Sequence, residues 1–496
     1  MKIGKQLKKR VISVVNARVY TNISAFIYFS LKQFVGFVNL YKFADEQICS
    51  FLIFFKMLTK GNLIKLFTFI VCLAMTQASI GKDLYMSPTG SDTNNGSASS
   101  PVFTITKAQA LAEPGDVVHI KAGHYKYDNS QITDSISPYA IAFHMKKSGT
   151  ADKHIIYKGE IVDGERPVLD FFNLRPDGLR VAAFWVDGSY IEIHNIEVVR
   201  VQVTMTGHTQ SECFRIVKGS NNLINNVSMH DGMAIGVYIV QGSNNLILNC
   251  DAYNNYDKVG ENGTGGNVDG FGAHVQTESS VGNVFRGCRA WHNSDDGFDL
   301  INCKAPILIE NCWSFFNGYA PASFNKKGDG SGFKCGGYGM RQKIRNPSVI
   351  PVHTIKNCIA YFNRNRGFYS NHHLGGLKFI NNTAYYNPYN FPMPNRKSVE
   401  EPVDVNGYGH VFENNISYRP RVPRPLISEV DSALSTFKNN TFLSDGPDLT
   451  DKDFVGLEAY ELTLDRKEDG SLPDIEFLKL KADSYWGKKK VGYQWK

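Results

Sequence analysis

The sequence lacks the features that several protein classes require. Its leading apolar stretch, Leu66–Met75, has ten residues, whereas a bilayer-crossing helix needs roughly 20. Helical periodicity of useful length is missing beyond residue 180. Acidic residues are nearly absent from the N-terminal part: positions 1–78 hold 11 Lys or Arg against Asp45 and Glu46 alone. The net charge of +7 therefore resides in that leader, because the rest carries 43 basic against 45 acidic residues. A nucleic-acid partner, which needs a basic surface, loses its support. Cysteine is sparse and odd in number after the leader, seven of nine, so the thiols cannot all pair with one another. The 42% hydrophobic and 20% charged residues are those of an ordinary folded protein, which excludes disorder, collagen and a membrane bundle.

Residues Met57–Ser79 read as a secretory signal: Lys60 and Lys65 precede the apolar stretch, and Thr76-Gln77-Ala78 supplies small residues for cleavage. The expected layout is a mis-assigned upstream extension over 1–56, a signal peptide over 57–78, a repeat domain over 79–445 and a packed tail over 446–496. The mature protein is expected to be secreted, to the periplasm or outside the cell, with no membrane insertion.

After residue 180 the chain repeats itself. A short apolar segment with a small polar pair recurs as Ile193-His194-Asn195, Ile224-Asn225-Asn226, Leu248-Asn249-Cys250, Arg286-Gly287-Cys288, Glu310-Asn311-Cys312, Lys356-Asn357-Cys358, Ile380-Asn381-Asn382, Glu413-Asn414-Asn415 and Lys438-Asn439-Asn440. The steps are 31, 24, 38, 24, 46, 24, 33 and 25 residues, a unit near 24 with optional loops. Alternating β-rich runs such as Tyr190-Ile191-Glu192-Ile193 predict an all-β, right-handed parallel β-helix. Its strands stack about 4.8 Å apart, so equivalent residues form columns. The Asn and Cys columns are expected to be packing features. Phe103–Ala112 is predicted as a short helix capping the open first coil, and the C-terminal tail is expected to be irregular.

A second motif occurs once per middle coil: Ile235-Gly236-Val237-Tyr238, Asp269-Gly270-Phe271-Gly272, Asp296-Gly297-Phe298-Asp299, Ser331-Gly332-Phe333-Lys334 and Arg366-Gly367-Phe368-Tyr369. The third residue should face inward and the fourth outward. Asp269, Asp295, Asp296 and Asp299 then converge, given a bend at Gly297. Clustered carboxylates repel unless a cation joins them, and an oxygen-only, charge-rich set favours Ca²⁺; a solvated turn is the alternative. Lys334 follows Asp299 in its column. Beside calcium its ammonium is disfavoured, which lowers its pKa toward that of a useful base. Arg366 continues the other column and is a candidate for binding a carboxylate on the substrate.

These residues resemble polysaccharide lyase family 9, the pectate lyases of parallel β-helix type. The resemblance runs from about Lys82 to the C-terminus. It is carried by Leu84-Tyr85-Met86-Ser87-Pro88-Thr89-Gly90-Ser91-Asp92, Val268-Asp269-Gly270-Phe271, Asn293-Ser294-Asp295-Asp296-Gly297-Phe298-Asp299-Leu300, Gly330-Ser331-Gly332-Phe333-Lys334-Cys335-Gly336-Gly337 and Gly470-Ser471-Leu472-Pro473. It implies a calcium site at Asp269, Asp295, Asp296 and Asp299, and a catalytic base at Lys334. His274, Cys335 and Tyr369-Ser370-Asn371-His372 depart from the family pattern and bear on substrate preference. The implied reaction is calcium-dependent β-elimination on 4-linked galacturonate of plant pectin by a monomer. Rhamnogalacturonan I is the alternative polymer. A β-helix glycoside hydrolase would need an acid–base carboxylate pair, but the Gly-His-Gly and Arg-Ile-Lys motifs of the polygalacturonases do not occur. A non-catalytic carbohydrate-binding β-helix would have no reason to place Lys334 above four aspartates.

Overall fold

The computed structural model describes residues 81–340 and 347–495; the expected signal peptide over 57–78 and the expected extension over 1–56 lie outside the described residues. Three long sheets of 12, 10 and 9 strands run side by side. Successive turns of the chain add one strand to each, as Leu223↔Leu246↔Val284 illustrates. The fold is the right-handed parallel β-helix that the repeats predict. One antiparallel pair, Asp134–Ile136 with Tyr139–Met145, closes the edge of the nine-stranded sheet. The predicted cap is α1 (Ile105–Leu111), whose N-terminus is held by Thr104 accepting from the Lys107 amide. Among the described residues no helix is long and apolar enough to cross a membrane.

The columns have separate physical causes. The aromatic of each Gly-aromatic motif stacks inside: Phe271–Phe298, Phe298–Phe333 and Phe333–Phe368 have ring centroids 5.0, 4.8 and 4.9 Å apart. The polar pairs place a residue at positive φ where one strand turns into the next: Asn249, Gly287, Asn311, Asn357, Asn381, Asn414 and Asn439. Asn tolerates that conformation better than other non-glycine residues. The first two repeats are offset by one from the sequence alignment. There the positive-φ residue is the last member, Asn195 and Asn226, and the true step from Asn226 to Asn249 is 23, as Asn225↔Leu248 requires.

Cys250, Cys288, Cys312 and Cys358 then line one interior column. All seven described cysteines are free and buried, so they are packing thiols, as expected. A further ladder escaped the sequence reading. Asn255, Asn293, Asn317, Asn363 and Asn387, all fully buried, each pass a side-chain amide hydrogen bond to the next at 3.0–3.1 Å. Burying five amides is tolerable because each also donates to a backbone carbonyl, as Asn293 does to Ala252.

The tail is irregular, with short helical turns, and it packs on the outside of the ten-stranded sheet. Phe454, Leu462, Phe477 and Trp486 cover Trp313, Phe315, Ile359 and Tyr418. Arg466 reaches Asp251 at 2.6 Å, and Asp251 is shared with Arg289 at 2.8 Å. Arg289 also donates to the Leu462 and Leu464 carbonyls. One buried carboxylate is thus shared by two buried guanidiniums and fastens the tail to the coils.

Candidate active site

Five strands of the nine-stranded sheet carry the site: β1 (Ala234–Ile239), β2 (Phe271–Ala273), β3 (Phe298–Asp299), β4 (Ser331–Lys334) and β5 (Arg366–Tyr369). Their register is Tyr238↔Gly272↔Asp299↔Lys334↔Tyr369, the outward column read from the motif. The motif glycines act by leaving space rather than by bending the chain: a Cβ on Gly297 would stand 2.0 Å from Ser314 Oγ and 2.7 Å from the Gly332 carbonyl. The aspartate before that glycine is thereby drawn against the next coil.

Asp269, Asp295 and Asp296 each offer an oxygen within 4.8 Å of the others. They are neither the outward carboxylates that a bend at Gly297 would give nor a solvated turn: Asp269 is 2% exposed and Asp296 0%. The two long insertions cover them. Asp295 accepts from the Asn267 amide of one insertion at 2.6 Å and from the Asp329 amide of the other at 2.5 Å. The insertions also meet where Lys327 Nζ donates to the Gly263 carbonyl at 3.3 Å. Asp269 accepts from the Asp296 amide, and Asp296 from the Ser331 amide. Each carboxylate is therefore oriented by backbone N–H groups while keeping lone pairs for something else.

Asp299 stands apart from this trio. Its Oδ2 lies 3.2 Å from Lys334 Nζ and 3.6 Å from His274 Nε2, and its Oδ1 accepts from the Ile301 amide. Lys334 Nζ is also 3.1 Å from Asp296 Oδ2, although not in hydrogen-bond alignment. The electrostatics follow from this placement. Burial pushes Asp269 and Asp295 above the usual carboxylate range, and Asp296 up to about 8; neighbouring aspartates add to this by repulsion, Asp329 in the case of Asp295, while the Lys334 ammonium opposes it. Burial works the same way on Asp299, but the Lys334 ammonium and His274 outweigh it and hold that carboxyl low.

Burial disfavours the Lys334 ammonium, yet Asp299, Asp296, Asp295 and Asp269 hold it well above the ordinary lysine value. This is opposite to the lowered lysine expected from the sequence. That expectation presupposes a cation, whose positive charge would cancel the carboxylate field. The residues fit such an ion: the three closest donors are all oxygens, all buried, and repel one another when charged.

His274 and Asp329 belong to this neighbourhood without having been read as site residues. His274 Nδ1 is hydrogen-bonded with the Tyr238 hydroxyl at 2.7 Å, and Asp329 lies 3.9 Å from Lys334. Alternation past Gly272 points His274 to the same face as Asp299, and that signal was available. Asp329 lies in a loop and had none. Arg366 is adjacent in register to Ser331. Its guanidinium stacks 4.1 Å from the Tyr369 ring centroid and has no ion-pair partner among the described residues. Cys335 is fully buried beneath this face, where burial pushes its thiol well up.

Comparison with known proteins agrees with this geometry. Residues 84–414 match the family model described as "Pel9A-like, right handed beta helix region". The chain is 34% identical to pectate lyase L of Dickeya chrysanthemi over 408 residues, 81% of this chain and 84% of that protein. A solved structure described as a rhamnogalacturonan lyase superposes with a TM-score of 0.80 at 48% identity, covering 83% of this chain and 99% of that one. The crystal structure of pectate lyase Pel9A gives 0.64 at 30% identity, covering 83% and 92%.

Proposed function

Because the chain belongs to the Pel9A-like right-handed β-helix family and is a polysaccharide lyase of the pectate type, we propose that it cleaves 4-linked galacturonate bonds of a pectic backbone by β-elimination, with Lys334 as the base and calcium held by Asp269, Asp295, Asp296 and Asp299. The observation that carries this reading is the position of Lys334 Nζ, 3.1 and 3.2 Å from Asp296 and Asp299 at the edge of the buried carboxylate cluster.

Calcium bound there would offset the substrate carboxylate's charge and acidify the adjacent C5 proton. Neutral Lys334 Nζ takes that proton. The freed electron pair forms the C4–C5 double bond, the C4–O bond breaks, and the departing sugar oxygen takes a proton from water. Asp269, Asp295 and Asp296 are preset by backbone amides, so their carboxylates need little rearrangement when the ion and substrate arrive. The insertions over them limit water near Lys334.

Arg366, with no acidic partner among the described residues and stacked on Tyr369, would grip the carboxylate of a neighbouring uronate. Arg366→Ala should mainly raise the Michaelis constant, by about tenfold for one lost charge-assisted pair; unchanged steady-state kinetics would remove it from the site.

The 48% identity to a rhamnogalacturonan lyase, against 30–34% to the pectate lyases, favours the rhamnogalacturonan I backbone over homogalacturonan. Incubation with each polymer plus calcium, followed by ultraviolet absorbance of the unsaturated product, decides between them; absorbance from neither polymer would refute the elimination reading. Export completes the proposal, since the polymer is extracellular. The secreted protein should start near Ser79, and N-terminal sequencing that begins upstream of Met57 would contradict this.

A further inference from the structure

Beside the last coils lies a cavity of about 560 Å³ lined by Lys326, Arg364, Arg421, Arg424, Phe362 and Tyr389, among others. No Asp or Glu is among its described lining residues, and none of the four cations has an ion-pair partner among the described residues. This is unusual in a body that carries slightly more acid than base. Two of the cations are anchored: Arg421 donates to the Asn363 and Arg364 carbonyls, and Arg364 to the Gly328 carbonyl. The Arg421 guanidinium lies 4.3 Å from the Phe362 ring centroid, and that of Arg424 4.9 Å from Tyr389.

We propose that this cavity is a second binding site for an acidic saccharide, a uronate-bearing stretch of the polymer away from the reacting sugar. Four unneutralised cations in one hollow select an anion. Guanidiniums beside rings are weakly hydrated and match a carboxylate with paired N–H groups, and the exposed ring of Phe324, also in the lining, suits the apolar face of a sugar. The volume is that of a small-ligand cleft. The location joins the cavity to the site: Arg364 and Asn365 run directly into Arg366, and the Gly328 carbonyl held by Arg364 precedes Asp329, whose amide caps Asp295. One polymer chain could occupy both places. The choice of a uronate as the acid rests on the reading under Proposed function.

The test is calorimetric binding to Lys334→Ala protein, which should bind without cleaving. The probes are trigalacturonate, polygalacturonate, rhamnogalacturonan I and neutral galactan. Adding Lys326→Ala and Arg424→Ala should weaken binding of an acidic polymer about tenfold and lower its salt dependence, with a smaller loss for the trimer. Arg424→Lys should restore part of the affinity. Neither substituted side chain makes a hydrogen bond in the structure, and a matching melting temperature confirms the fold. Equal affinities with and without the substitutions would overturn the proposal. So would an equal loss for neutral galactan, or displacement by inorganic phosphate as effective as by galacturonate. Failure of the lyase reading shows separately, as absent product absorbance with the unsubstituted protein.

Discussion

Lys334→Ala is expected to lose turnover by on the order of 10²–10⁴-fold, the effect of removing a general base. Two further consequences separate this role from a structural one. In the absence of a cation Lys334 is the group whose charge balances the buried carboxylates. Its removal should therefore lower the melting temperature in chelator. With calcium present the same substitution should leave the fold intact and tighten calcium binding, because a positive charge next to the ion is gone. Lys334→Arg should retain the charge balance yet remain inactive near neutral pH, since a guanidinium hardly deprotonates. Near-wild-type turnover in folded, calcium-loaded Lys334→Ala would move the base elsewhere.

Chelation should abolish product formation, and added Ca²⁺ should restore it. The second readout is stability. A ligand that binds only the folded state at a hundredfold its dissociation constant adds about 2.7 kcal/mol, so calcium should raise the melting temperature measurably. Asp296→Asn preserves size and the acceptor for the Ser331 amide while removing a charge. It should lose most of the calcium-dependent shift. Its melting temperature in chelator should change little near neutral pH, because burial pushes the Asp296 carboxyl up to about 8 and it is already largely uncharged there. An Asp296→Asn protein with the full calcium shift would exclude the aspartate cluster as the ion's site, and full activity in excess chelator would exclude the metal from the reaction.

Much of the architecture was legible along the chain. A repeat near 24 residues with Asn or Gly at the strand bends leaves few folds open, because a β-helix coil is built from residues adjacent in sequence. The Gly-aromatic motif likewise set which residues share a column, so Asp299, Lys334 and Tyr369 could be aligned before any coordinates. The one-residue offset at Asn195 and Asn226 arose because the polar pair there is Asn-Asn or His-Asn, and either member could occupy the positive-φ bend; only strand pairing distinguishes them.

What the sequence alone determined, then, was the column to which each residue belongs. The tertiary structure decided everything that depends on contacts between coils and loops. A bend at Gly297 was expected to turn Asp296 outward, but it is fully buried, and the insertions around Asn267 and Asp329 close over its neighbour Asp295. The packing of Asp299 against Lys334 and His274 is also set by contacts between coils. The sign of the Lys334 shift, the Asn255–Asn387 ladder and the basic cavity near Arg421 were likewise not readable. The physical reason is common to all of them. Column membership follows from local periodicity and close approach at small residues, whereas burial and electrostatic partnership depend on distances of a few ångströms between segments tens of residues apart, which no local pattern encodes.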